Sequence, residues 1–92
     1  MQVICDAIRD RLCLTFQYKG QARKVEPHLL GYDSDGDLTL SAWQLSGGSG
    51  QGFRDFHVSK LSGLSTSPNT FAGARPGYSQ WDKTIDRVVC RL

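Results

Sequence analysis

The chain lacks most of what would mark it for catalysis, metal chemistry or the membrane. No stretch approaches the ~20 consecutive apolar residues of a membrane span, and the N-terminus has no apolar signal-peptide core. Those two absences lead us to expect a cytoplasmic protein with no membrane partner. Cysteine is scarce: Cys5, Cys13 and Cys90 are odd in number and show no C-x-x-C spacing, so reduced, buried thiols are expected rather than a zinc or redox site. The only histidines, His28 and His57, stand at no metal-ligand spacing from a cysteine or carboxylate. Asp33-Ser34-Asp35-Gly36-Asp37 resembles a calcium loop, but its glycine is at the fourth place and Gln44 stands where the bidentate glutamate belongs. There is no G-x-S-x-G elbow. Ser41, Asp55 and His57 are the residue types of a triad, yet Asp55 and His57 are near neighbours on one strand, and Glu26 with His28 is the kind of pair any polar strand face produces. We therefore expect no enzyme activity, no metal and no cofactor. Charge is also undistinguished. Eleven Lys and Arg against nine Asp and Glu give +2, too near neutral to announce a nucleic-acid binder by composition, although clustering still permits a basic face.

What the chain does have is alternation. Leu12, Leu14, Phe16 and Tyr18 alternate with Cys13, Thr15 and Gln17, and Lys19-Gly20 then turns the chain. A second run follows from Arg23 to Tyr32, a third from Leu38 to Leu45 after the Asp35-Gly36 turn, and a fourth from Phe53 to Val58. A short fifth, Leu61 to Ser65, comes after a turn at Ser59-Lys60. Period-two patterning between glycine turns specifies antiparallel strands with one buried face. Pro27 cannot donate to a ladder, so the second strand should be at an edge or bulged there, re-aiming His28. The loop 46–52 carries Gly47, Gly48, Gly50 and Gly52. It joins two strands and opens no helix, so it lacks the dipole of a phosphate loop.

Both ends have helical spacing. Val3, Ile4, Ala7, Ile8 and Leu12 form one stripe, and Trp81, Ile85, Val88, Val89 and Leu92 form another, with Ser79 and Asp82 as a capping pair. The segment after Ser67, with Pro68, Gly73, Pro76 and Gly77, should be an irregular crossing. No internal repeat is visible.

The order Tyr18, then Val25-Glu26-Pro27-His28, then Arg54-x-Phe56-x-Val58-x-Lys60-Leu61 resembles the WYL domain family, over residues 1 to about 64. The departures are Leu38-Thr39-Leu40 at the name-giving Trp-Tyr-Leu, with Trp43 three residues on, and Lys60 where arginine is usual. The resemblance implies a mainly β fold, a small five-stranded antiparallel Sm-like or SH3-like barrel. Residues 1–67 would be the barrel with its N-terminal helix, and 68–92 an extension ending in a C-terminal helix packed on the barrel or a partner. It further implies a ligand-sensing module of bacterial transcription regulation that binds single-stranded nucleic acid or a nucleotide-like effector. Arg54 is the first candidate: it alternates in register with Phe56, so its stem would follow an apolar face and its fork would reach phosphate at the barrel mouth. Lys60 would add a point contact, His28 would orient base or sugar, and Tyr18 and Trp43 offer faces for stacking. The competing expectation is a non-catalytic interaction barrel, forming a homodimer or docking a regulator partner through its C-terminal helix, with no small effector.

Overall fold

Alternation dictates most of what folds. The computed structural model describes residues 1–79 and 84–92. Gln2–Asp10 forms helix α1, followed by strands β1 (Leu12–Tyr18), β2 (Gln21–Asp33), β3 (Leu38–Ser46) and β4 (Gly52–His57). A single 3₁₀ turn over Val58–Lys60 leads to β5 (Ser62–Thr70), and the chain ends on β6 (Ile85–Arg91). Helix α1 buries Ile4, Ala7 and Ile8 and stops at Arg11, whose left-handed backbone (φ 55°) lets its N–H reach the carbonyls of Ala7 and Ile8.

The six strands form one antiparallel sheet in the order β4-β3-β2-β1-β5, with β6 also on β2. Strand β2 organises it. One edge pairs with β3 over the span Lys24 to Tyr32; the other pairs first with β1, through Val25, and then with β6, from Leu29 onward. On one edge Pro27 falls in the gap after β1 has left and before β6 arrives, and on the other it lies opposite Ala42 of β3. The register with β3 shifts between Pro27 and Leu29, which makes His28 the extra residue of a bulge, as the proline led us to expect. Gly31 is where β6 comes closest. A Cβ there would lie 2.5 Å from the Arg87 carbonyl oxygen and nearer still to Ile85 Cγ2. The core gathers on one face, with Leu14, Phe16, Tyr18, Val25, Leu30, Leu40, Ala42 and Phe56 packed against α1. Among the described residues no helix is long and apolar enough to cross a membrane.

Three expectations are corrected. Residues 85–91 are a strand, not a helix. The segment is short and rich in β-branched residues, and β2 offers a free half-edge, so pairing wins over helical spacing. Trp81 and Asp82, at the expected helix start, lie outside the described residues. The fifth strand runs on to Thr70; it pairs only with β1 among the described residues, so Pro68 is tolerated on its edge. Finally, Cys5 and Cys90 are not free thiols. They form a disulfide joining α1 to β6, while Cys13 alone is free and buried, its thiol pKa raised mainly by desolvation. The strands form an open sheet, with no pairing between β4 and β5 among the described residues.

Candidate functional site

At one end of the sheet, the β1–β2 turn and the glycine loop before β4 border a cleft of about 320 Å³ lined by Tyr18, Lys19, Gln21, Arg23, Gly48, Ser49, Arg54, Asp55 and Phe56. Register explains who meets there. Phe16 pairs with Arg23, Tyr18 with Gln21, and Ala42 with Arg54, so both arginines lie on the core face, at the end where the core opens. The Arg23 guanidinium stands over the rings of Tyr18 (5.6 Å) and Phe56 (5.9 Å), and its Nη1 donates to Gln44 Oε1 at 2.8 Å. Arg54 donates from Nη1 to the Phe53 carbonyl at 2.8 Å and from Nη2 to Ser49 Oγ at 2.9 Å.

Buried Gln44 ties this together. Its Nε2 donates to the carbonyls of Gly47 (2.8 Å) and Gly50 (2.6 Å), so one amide fixes the loop and Arg23 at once. The glycines leave room for the two guanidiniums, which a side chain at either position would displace. A Cβ at Gly48 would lie 2.5 Å from Arg23 Nη1, and one at Gly52 2.7 Å from Arg54 Nη1. Both positions have positive φ as well. The result is two held guanidiniums and the Lys19 ammonium around one opening, with Asp55 the only acid on its wall among the described residues. Such a site suits a phosphate or another oxyanion.

Comparisons with protein-family models, curated proteins and solved structures find no match for this chain.

Of the five residues singled out in the sequence, only Tyr18 and Arg54 line this cleft. Tyr18 is buried edge-on against Phe56 at 5.0 Å with Arg23 and Lys19 over its ring, so it is floor rather than an open stacking face. Lys60 is exposed on the 3₁₀ turn and is not part of the cleft wall. Trp43 and His28 belong to the other face of the sheet. Arg23 and Gln44 are site residues that the sequence did not single out. The available signal was parity: Arg23 precedes core residue Val25 by two.

On that other face, segment 71–79 crosses the sheet and covers a second small cluster. His28 is fully buried among Phe53, Phe71 and Tyr78. Its Nδ1 lies 2.8 Å from the Glu26 carbonyl oxygen, and its Nε2 accepts the Arg75 backbone N–H at 3.0 Å. The ring is thus a neutral tautomer, protonated on Nδ1. Desolvation pushes its pKa below the ordinary value, against the opposing pull of the Glu26 carbonyl and carboxylate, with Arg75 adding to the lowering. The sign follows: His28 contributes stability that is full above about pH 6.5, the unfolded value, and is lost as pH falls toward the lower folded one. Urea midpoints measured from pH 7.5 to 5 are expected to decline, with a shallower decline in His28→Gln; equal slopes would remove His28 as the cause.

His57 shares a face with Phe53 and Asp55, as strand parity requires, and the fold brings it to the acidic turn. Nε2 is 3.8 Å from Asp33 Oδ2, and Nδ1 is 3.9 Å from Asp37 Oδ2. Asp33 Oδ1 already accepts the N–H groups of Asp35 and Asp37, which shapes the turn. Asp33, Asp37 and His57 each offer a ligand atom within 4.8 Å of the others, a grouping invisible in the spacing. Closing on a small divalent ion would require those atoms to move inward.

Proposed function

We propose that this chain is a regulatory module that binds a phosphate-bearing ligand, single-stranded nucleic acid or a nucleotide-like effector, at the cleft bordered by Arg23, Arg54 and Lys19. The supporting observation is the convergence on one cleft of two guanidiniums, Arg23 over the Tyr18 and Phe56 rings and bonded to Gln44, and Arg54 held by Ser49 of the glycine loop, in a space large enough for a phosphorylated sugar. On this reading the sheet corresponds to the Sm-like barrel of WYL type, left open between β4 and β5 among the described residues; it serves transcriptional regulation and carries no catalytic step. The Cys5–Cys90 bridge is a crosslink that persists in oxidising surroundings. A cytoplasmic regulator would keep that pair reduced for part of its life, and thiol trapping on extraction reads its state directly.

The test is fluorescence anisotropy of a short labelled single strand with the wild type, Arg54→Ala and Arg23→Ala, at low and at physiological salt. Salt-sensitive binding is expected, about tenfold weaker in either variant, with the log–log salt slope reduced by about 0.7 for each phosphate that is no longer neutralised. Failure of the wild type to bind at either salt returns the chain to the interaction-barrel reading. The surface for that role would be the exposed Met1, Val3 and Val89 around the α1–β6 junction.

A further inference from the structure

The face of the sheet opposite the cleft holds an arginine in a manner that resembles ligand recognition. Arg75 Nε donates to Glu26 Oε1 at 2.7 Å and Nη2 to Oε2 at 3.0 Å, a two-bond fork. Its guanidinium carbon stands 5.2 Å from the Trp43 ring centroid, and its backbone N–H is taken by His28 Nε2. Charge, planar group and peptide amide are each matched. The exposures are unequal: the Glu26 side chain is 7% exposed and that of Arg75 40%. The carboxylate is therefore the fixed, buried element, and the cation arrives from outside.

The segment that brings it, 71–79, makes no strand pairing among the described residues. Its ties include the Phe71 N–H to the Arg11 carbonyl, Arg11 Nη1 to the Ala72 carbonyl, the Phe71 and Tyr78 rings packed on His28, and Arg75 itself. A buried carboxylate left without its partner is strongly unfavourable, so Glu26 demands a guanidinium whatever its source. Trp43 Nε1 is also buried without an acceptor among the described residues, a donor that the internal occupant leaves unused.

We propose that Glu26, Trp43 and His28 form a binding site for an arginine side chain on an extended peptide of a partner protein, and that Arg75 is its displaceable internal occupant. The site tests itself in full-length Arg75→Ala titrated with Nα-acetyl-arginine methylamide, followed by the Trp43 indole N–H resonance. Saturable single-site binding is expected, at least tenfold tighter than for the lysine analogue, which lacks the fork. Affinity should fall at least tenfold with Glu26→Gln added, and should be at least tenfold weaker in the wild type, where Arg75 competes. Should Arg75→Ala not fold, Arg75→Lys keeps the charge and is expected to bind the arginine probe more tightly than wild type.

A permanent clamp is distinguished by hydrogen exchange in the wild type. With the probe tenfold above its dissociation constant for the wild type itself, the Tyr78 N–H, bonded to the Arg75 carbonyl, should exchange faster. Unchanged Tyr78 protection, absent saturation in both variants, or affinity indifferent to Glu26→Gln would each overturn the proposal. Dimers of the wild type exchanging this segment would overturn it in favour of a second copy as the occupant.

Discussion

Cys5→Ser is expected to lower the free energy of unfolding by roughly 4–5 kcal/mol, because the bridge it removes closes a loop of 85 residues and loop-closure entropy grows with the logarithm of that length. That is a large share of the ~5–15 kcal/mol typical of a domain, and a 92-residue chain buries too little surface to absorb it easily. Helix α1 should not simply detach, since Ile4, Ala7 and Ile8 remain against the core. Strand β6 has less to hold it: its pairing with β2 is interrupted by two register shifts, and Val89 and Arg91 face outward. The loss should therefore begin at β6. Guanidinium unfolding of the oxidised wild type and the variant measures the difference, and amide exchange along 85–91 locates it. A difference under 1 kcal/mol would mean that the bridge only decorates an already closed structure.

Phe56→Ala should cost about 3–5 kcal/mol, the range for emptying an aromatic site in a packed core. Phe56 is 1% exposed and meets Phe16 and Tyr18 edge-on, each with ring centroids 5.0 Å away. It also lines the cleft beneath Arg23, so its loss reaches beyond stability. Phe56→Leu, a milder change, should remain folded and yet weaken oligonucleotide binding, because the Arg23 guanidinium loses the ring beneath it. A leucine variant that binds at wild-type strength would separate the core from the cleft. Thermal unfolding and anisotropy on the two variants together make that distinction.

The strands were legible because period two leaves a mark on every residue. Parity from Phe53 to Val58 also placed Arg54 and Phe56 on one face and His57 on the other, as observed. Legibility ended wherever a second chain segment decides the outcome. Ile85, Val88, Val89 and Leu92 satisfy a helical stripe on paper, but the free half-edge of β2 beyond Pro27 is what claims them, and local spacing carries no trace of that vacancy. Cys5 and Cys90 pair for the same reason, across the joint between α1 and β6. Arg75 and Glu26 are 49 positions apart, in a segment with no periodicity, so neither the fork nor the burial of His28 beneath it could be anticipated. Pro27 succeeded because a missing N–H is a local fact with a local consequence.

The Cys5–Cys90 bridge also gives the molecule a mechanical character. Tension applied between the two ends would enter at Met1, cross the sulfur bond beside α1 and leave at Leu92. The intervening residues, including both faces of the sheet, lie off that path, so an intact bridge would shield them from load, and a reduced one would let the strands be peeled apart one after another.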